Sequence, residues 1–576
     1  MILRFFLSFS VFIILHLSAF NQTYIINTNV LDVERKKLLT GQTVVIEKDM
    51  ITTVTSSKKI KPPVTANIID GSGKFLIPGL VDAHVHFFQS GGLYTRPDVI
   101  DLRKYNPYQQ EIVWTHRNME DLLRRYIKAG ITTVIDVGSS INFLIQRDSF
   151  KNKSYAPAIY MTGPLLTTWE PEEYKNLAND EPFYELKSED DAIEYVKKQL
   201  AFKPDFIKIW YIVSDRNTEQ GARKSLPLVR AVINETHKHY LKVAVHATER
   251  ITAQLAVENG CDFLVHGVDD EIVNDEFLQL LKKKNVVLCP TLSVGPNYSE
   301  ILGQDYKFSF TDYTDANPYT TGSLFDLKHI PDTSMTNDYK KFVRSRTAFN
   351  RTSDSILRIN LKKMADAGIT IATGTDAGNI GTLHASSYLE ELHYMQLAGM
   401  NLWQILQAST INGAKILGKE KEFGSIAAGK FASMVLLNAN PLDSIRNWQK
   451  IELIFNKGTI LSPDSIVKET AVSLVQRQLN AYNGHDLEAF LEPYAENVQV
   501  FTFPDSLQSQ GKDQMRKAYQ YITSLPGLHC EIKDRIIKGN IIIDHEKVTG
   551  VNNMPIENIA IYFIEKNKIY KVYFIQ

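Results

Sequence analysis

Two histidines, His84 and His86, close the apolar run 75–86. Alternate side chains of a β-strand point to the same face, so both imidazoles can bind one metal ion from a single strand. Pro78 and Gly79 mark a turn just before this strand. A pair of core histidines without a ligand is the competing interpretation, and the rest of the chain decides between the two.

The region that follows alternates strand-like apolar runs with helical patterns, which is typical of βα units around a parallel sheet. With the His84 strand there are eight such runs, and the other seven are 132–137, 158–162, 206–211, 243–247, 263–268, 286–292 and 370–375. Eight repeats predict a TIM-type (β/α)8 barrel, in which the chemistry lies at the carboxyl ends of the strands.

Side chains that can bind metal occur at or near the ends of these predicted strands, and they are His84, His86, Lys208, His246, His266 and Asp376. The ends of parallel strands meet at one mouth of a barrel, so these side chains are expected to converge. Lys208 is the unusual member, because a protonated amine would repel a divalent cation. A lysine that pairs with an acid or reaches solvent is the alternative interpretation.

This set resembles that of the metal-dependent amidohydrolase superfamily, and its spacing is similar to the prolidase-like and imidazolonepropionase-like branch. The matching stretches within the range 23–461 are 78–82, 374–378, 408–414 and 424–430. One departure is Ser433, where relatives usually carry an acidic residue. The resemblance implies a barrel inserted in a small β-sandwich.

The resemblance also implies a binuclear metal site. One ion is expected on the His84 pair and Asp376, and the other on His246 and His266. Lys208 is expected to react with carbon dioxide, so that its anionic carbamate bridges both ions. Nitrogen and carboxylate ligands suit zinc, although manganese, iron or cobalt bind the same donors.

The implied reaction is hydrolysis by a metal-bridging hydroxide, with Asp376 passing a proton to the leaving amine. The substrate class is a carbon–nitrogen bond in a small amide or a dipeptide, including one before proline. Two alternatives are a lactone or phosphoester hydrolase on the same site and a ligand-binding protein without turnover.

Residues that contact the substrate are less clear from the sequence. His384, shortly after the eighth strand, and Tyr211, beside the Lys208 strand, are the candidates. A helix-start histidine without a ligand and a tyrosine packed in the barrel are the alternatives. The aromatic-rich segment Gly295–Ser353 is predicted to shape the pocket, to cover the barrel or to form a dimer contact.

The two ends of the chain differ from the barrel. Strand patterns on both sides of the barrel are incomplete by themselves and together predict one composite β-sandwich. The predicted parts are a signal peptide at 1–20, the sandwich at 21–76 and 420–462, the metal-dependent barrel at 77–419 and a C-terminal domain at 463–576.

The C-terminal domain starts with helical patterns, the first over 464–483, and continues with alternating strands, so an α+β fold is predicted. The segments 479–486 and 544–550 resemble the SnoaL-like, ketosteroid-isomerase-like cone fold. We expect a binding role or a homo-oligomer contact rather than a second activity. Neighbours on a strand alternate faces, so 544, 545 and 546 cannot all enter one pocket.

Composition limits the remaining possibilities. The 576 residues carry a net charge of -1, so there is no large basic excess to hold the phosphates of nucleic acid, and no nucleic-acid partner is predicted. Residues 1–20 contain Arg4, a short apolar run and then Ser18 and Ala19, the order of a secretory signal peptide. The run is shorter than the roughly 20 residues of a membrane span, so a secreted or periplasmic protein without stable membrane insertion is predicted, with an uncleaved anchor as the alternative.

Overall fold

The structure is a computed structural model that describes residues 22–552 and 554–575. The predicted signal peptide lies outside these residues. In the described part of the chain, no helix has both the length and the apolar character needed to cross a membrane.

One eight-stranded sheet contains strands from both sides of the barrel. Its strands are Thr23–Asp32, Lys37–Glu47, Met50–Ser56, Asn67–Asp70 and Phe75–Pro78 before the barrel, and Met434–Leu437, Ile451–Asn456 and Thr459–Leu461 after it. The two parts meet where Phe75 pairs with Leu437 in an antiparallel ladder. Their buried aliphatic side chains form one core, so the barrel is inserted in this composite domain.

The barrel strands are parallel and lie in two sheets of three and seven strands. The first sheet contains Leu80–Val85, Ile131–Asp136 and Ala158–Met161. The second contains, in spatial order, Phe183–Glu185, Leu165–Thr167, Phe206–Trp210, Lys242–His246, Phe263–Val265, Val287–Cys289 and Thr370–Ile371.

Backbone hydrogen bonds join the two sheets. On one side the Ala83 amide donates to the Thr373 carbonyl at 2.8 Å, and on the other the Asp205 amide donates to the Met161 carbonyl at 2.9 Å. The third barrel strand is interrupted at 162–164, because its first half pairs with the second strand and its second half with the fourth. The two sheets therefore follow the strand order predicted for a (β/α)8 barrel, although the ladder is not continuous.

Helices alternate with these strands, and one large hydrophobic core contains residues of both. The helices of the barrel are Tyr108–Lys128, Ile141–Arg147, Glu189–Leu200, Thr218–Lys238, Arg250–Glu258, Asp275–Lys284, Thr347–Asp366, Ser387–Leu397, Leu402–Ala408 and Ile411–Leu417. Four further helices, Val294–Leu302, Phe310–Thr314, Pro318–Phe325 and Thr333–Ser345, lie in the long segment between strands seven and eight, which we call the insert.

The C-terminal domain has helices followed by a six-stranded sheet, as predicted. Its helices are Ala471–Asn483, Leu487–Leu491 and Lys512–Ala518, and its strands are Tyr494–Thr502, Ser506–Gln510, His529–Lys538, Ile541–Thr549, Ile556–Glu565 and Lys568–Ile575. The short helix Pro463–Ile466 precedes the domain and packs through Ile466 against Ile127 and Ile454. The prediction of one helix over 464–483 is wrong. Thr470 begins a new helix, because its hydroxyl accepts from the Ser473 amide in a capping box.

The insert packs against the C-terminal domain. Tyr313 and Phe325 belong to the hydrophobic core of that domain. The Asn480 side chain donates to the Pro318 carbonyl at 2.8 Å, and Arg477 donates to the Tyr313 carbonyl at 3.3 Å. This segment was predicted to shape the pocket, to cover the barrel or to form a dimer contact. The structure shows that it also packs against the C-terminal domain of the same chain.

Phe325→Ala tests this packing. Phe325 is 4% exposed, so its truncation should lower the free energy of opening of the C-terminal domain by roughly 3–5 kcal/mol. Hydrogen exchange of the amides in Ile541–Thr549 measures this free energy. Phe310→Ala, at a phenylalanine of the same insert that is 47% exposed, is the control and should change it by less than about 0.5 kcal/mol. Equal effects of the two substitutions would show that the domain does not depend on the shared core.

Candidate metal centre

Asp82 and His84 lie in the first barrel strand, Leu80–Val85, and His86 directly follows it; all three side chains are buried. The Nε2 atoms of the two histidines lie 3.2 Å apart. Oδ1 of Asp376, after the eighth strand, lies 3.1 Å from Nε2 of His84 and 3.2 Å from Nε2 of His86. These three buried side chains form a candidate metal site.

The donor atoms of this cluster fit a metal ion. Nδ1 of His86 lies 2.7 Å from the Gly138 carbonyl, which fixes the proton on Nδ1 and leaves the Nε2 lone pair free. Oδ1 of Asp376 is buried and lacks a hydrogen bond of acceptable geometry, although both Nε2 atoms are near. Ligands at about 2.0–2.1 Å from a tetrahedral ion lie about 3.3 Å apart, close to the spacings found here.

The other three predicted ligands face the same space. Lys208, His246 and His266 line a cavity of ≈ 400 Å³ together with His86 and Asp376. The ring centroids of His246 and His266 are 4.3 Å apart, and that of His266 is 4.9 Å from that of His84. The structure thus brings all six side chains together, while their roles as ligands stay predictions.

Burial sets the charges of these groups. It lowers the pKa of His84 to about 4 and the pKa of His246 and His266 well below the usual value, so the imidazoles are neutral. Burial opposes ionisation of Asp376, but the surrounding imidazoles hold its pKa well below its usual range. Burial also lowers the pKa of Lys208 to about 7, so a large share of this amine is uncharged at neutral pH.

Two buried carboxylates hold the ligands in place. Asp82 accepts from the Thr375 amide at 3.0 Å and from the Thr375 hydroxyl at 2.8 Å, which fixes the residue before Asp376. Asp136 accepts from the Gly138 amide at 3.0 Å, and Gly138 in turn contacts His86. Hydrogen bonds of this kind, made by groups that neighbour the metal-binding residues, orient the metal ligands. Asp136 ends the strand Ile131–Asp136, which was the available sequence signal for it, whereas Asp82 lies inside the strand Leu80–Val85.

Asp376 has left-handed backbone geometry, with φ 61°, which is uncommon for a residue other than glycine. A polar network on the cavity wall supports it. Asn379 donates to the Asp376 carbonyl at 3.0 Å, and its side-chain oxygen accepts from Arg96 and, at 2.7 Å, from the Tyr298 hydroxyl. Arg96 is anchored by Asp98, 2.6 Å away. Sequence reasoning missed Arg96 and Asn379, whereas Tyr298 belongs to the segment Gly295–Ser353, which was predicted to shape the pocket.

The two candidates for substrate contact do not line this cavity. Nδ1 of His384 lies 2.9 Å from the Tyr126 hydroxyl, its Nε2 lies 2.8 Å from the Gln89 carbonyl, and its ring stacks on Phe87. Tyr211 is buried and its hydroxyl donates to the Ala222 carbonyl. Both side chains have protein partners, so their contact with substrate stays a prediction.

Comparison with known proteins agrees with this arrangement. The amidohydrolase family model matches residues 75–461, which is most of the chain and a range that contains the six predicted ligands. The chain belongs to the amidohydrolase family. A SnoaL-like domain model matches residues 475–572, which confirms the predicted class of the C-terminal domain.

Individual relatives support the same branch of the amidohydrolase family. A probable imidazolonepropionase of Nematostella vectensis is 37% identical over 65% of this chain and 76% of its own. A putative prolidase from Bifidobacterium longum has a TM-score of 0.57 at 22% identity, covering 77% of this chain and 95% of its own. A Xaa-Pro dipeptidase with bound methionine has a TM-score of 0.57 at 21% identity, covering 77% of this chain and 100% of its own. The protein is a hydrolase that acts on carbon–nitrogen bonds.

Gly374→Ala tests the packing around the metal-binding strands. A Cβ atom at Gly374 would lie 2.7 Å from both Cβ and the backbone nitrogen of His84, so the first strand must move. Competition with a chelator should show metal affinity lowered on the order of 10- to 100-fold. Gly295→Ala, where nothing lies within 4 Å, is the control and should bind metal as the wild type does. Wild-type affinity of the Gly374 variant would contradict the geometry.

Proposed function

We propose that this site is a binuclear metal centre that hydrolyses an amide bond of a small molecule or a dipeptide, with prolyl dipeptides and cyclic amides as the first candidates. The observation that carries the proposal is the contact of His84, His86 and Asp376 at a cavity that Lys208, His246 and His266 also line. The names of the relatives, imidazolonepropionase and Xaa-Pro dipeptidase, support these two substrate classes.

In this proposal the first ion is held by the cluster of His84, His86 and Asp376, and the second by His246 and His266. Neutral imidazoles and a carboxylate suit zinc. Bound ions of this kind supply an activated water and polarise a carbonyl oxygen. Lys208 contributes as its carbamate, since an uncharged amine is the form that reacts with carbon dioxide, and the structure gives this buried amine no acidic ion-pair partner among the described residues.

Asp376 is the proton carrier in the proposed reaction. Its Oδ1 faces the two imidazoles, and its backbone is held by Asn379 through the Arg96 network. A carboxylate held in this way can accept a proton from the attacking water and donate it to the departing amine. In the metal-loaded site the imidazoles would donate their lone pairs to the ions, so these rings would not take the proton.

The proposal also includes export of the protein, which the N-terminal segment supports. The order of residues in 1–20 supports export by a cleaved signal peptide, to the periplasm or the outside of the cell. Mass spectrometry of the purified protein tests this, because a mature chain that retains Met1 after export would contradict cleavage.

Activity of the metal-reconstituted protein tests the bond type. The substrates are Xaa-Pro and other dipeptides, N-acyl amino acids, imidazolonepropionate, lactones and phosphoesters. We expect turnover of one carbon–nitrogen class and its loss, by at least about 10³-fold, in Asp376→Asn with metal content and fold retained. Asp366→Asn, at a remote exposed carboxylate, should be fully active. Turnover confined to esters would favour the lactone or phosphoester alternative, and a fully loaded but inactive protein would favour a binding protein.

Lys208→Met tests the carbamate. Elemental analysis should find about two ions per wild-type chain and fewer in the variant, because the bridging anion is lost. Wild-type protein exchanged with 13C-bicarbonate should show a lysine carbamate resonance by NMR, and the variant should lack it. Lys341→Met, at an exposed lysine, is the matched control for both measurements. Two ions per chain in the Lys208 variant would refute the bridging role.

A further inference from the structure

A second cavity, of ≈ 270 Å³, lies inside the C-terminal domain. Its wall is mainly aromatic, with the rings of Tyr482, Phe490, Tyr494, Tyr519, Tyr521, Tyr562 and Phe574. It shares no lining residue with the cavity at the candidate metal centre. The volume lies just below the range of about 300–1,000 Å³ that is typical of small-molecule sites, so a small ligand fits.

One carboxylate enters this aromatic cavity. On the strand Ile541–Thr549 the side chains of Asp544 and Glu546 point inward, and His545 between them is exposed. Asp544 is neutralised by Arg535, whose two nitrogens lie 2.7 Å from its two oxygens. Glu546, which is 5% exposed, lines the cavity and has no such cation, because no basic side chain of the described residues lies within 4.0 Å of it.

The hydrogen bonds that lead to Glu546 all run in the same direction, towards its carboxylate. The Tyr494 hydroxyl donates to the Gln478 side-chain oxygen at 3.2 Å, and Gln478 donates to the Tyr562 hydroxyl at 3.3 Å. Tyr562 then donates to Glu546 Oε1 at 2.7 Å, and Asn558 donates to Oε2 at 3.1 Å. Each step points a donor towards the carboxylate. Glu546 is therefore the terminal acceptor of the network.

Two hydrogen bonds leave a buried carboxylate with unused lone pairs and an unbalanced charge, because such an anion has about four acceptor positions. Burial accordingly raises the pKa of Glu546 to about 7. A ligand cation would balance the charge, and the electron-rich faces of the tyrosine rings around it attract cations as well.

We propose that the C-terminal domain holds a second ligand site, in which Glu546 and the tyrosine rings bind a small organic ammonium ion with an apolar body. The ammonium group occupies the position facing Glu546, and the apolar body contacts the rings of Phe490, Tyr519 and Phe574. This site is separate from the hydrolytic centre and does not depend on the bond that the barrel cleaves.

Calorimetry on the intact, metal-loaded chain tests this proposal with two probes of matched size, benzylammonium and benzyl alcohol. We expect benzylammonium to bind at least about tenfold more tightly, because only it pairs with a buried carboxylate. This comparison needs no substitution. Equal affinity for the two probes, or no binding of either, would overturn the proposal in favour of a purely structural core cavity.

Glu546→Gln locates the site. Glutamine retains the size of the side chain and an oxygen that can accept from Tyr562, so we expect a stable domain that binds benzylammonium at least about tenfold more weakly and benzyl alcohol unchanged. Glu531→Gln, at an exposed glutamate of the same sheet, is the control and should bind as the wild type does. Both variants should retain hydrolytic activity. Unchanged benzylammonium affinity in a folded Glu546 variant would refute the assignment.

Discussion

The contact between the first and eighth barrel strands is the constraint on which the site depends. Asp82 binds the amide and hydroxyl of Thr375, which lies 293 positions later in the chain. The Asp376 amide donates to the His84 carbonyl at 2.7 Å. These bonds bring the carboxylate of Asp376 within 3.2 Å of both imidazoles of the histidine pair. A buried carboxylate without a cation is costly, so its hydrogen bonds must be retained.

The insert gives the C-terminal domain a connection to this centre. Tyr298, in its first helix, lines the site cavity and binds Asn379. Tyr313 and Phe325, in the following helices, pack into the core of the C-terminal domain. One continuous segment therefore forms part of the cavity wall at the candidate metal centre and part of the domain contact.

Local sequence patterns predicted the strands and most of the site, because both follow from a period of two and from the rule that barrel chemistry lies at strand ends. They did not predict the Arg96 and Asn379 network, since these residues lie on loops and meet only through the fold. For the same reason they could not show that both nitrogens of His384 have protein partners. The break before Thr470 was a local signal, a capping box, inside a long apolar helical pattern.

Anomalous diffraction from crystals of the metal-reconstituted protein tests the central claim most directly. Data collected on both sides of the metal absorption edge reveal each ion without reference to activity or to the substrate. We predict two peaks at the cavity, one bounded by His84, His86 and Asp376 and one by His246 and His266, with Lys208 between them. Peaks remote from these side chains, or none in a chain loaded with metal, would contradict it.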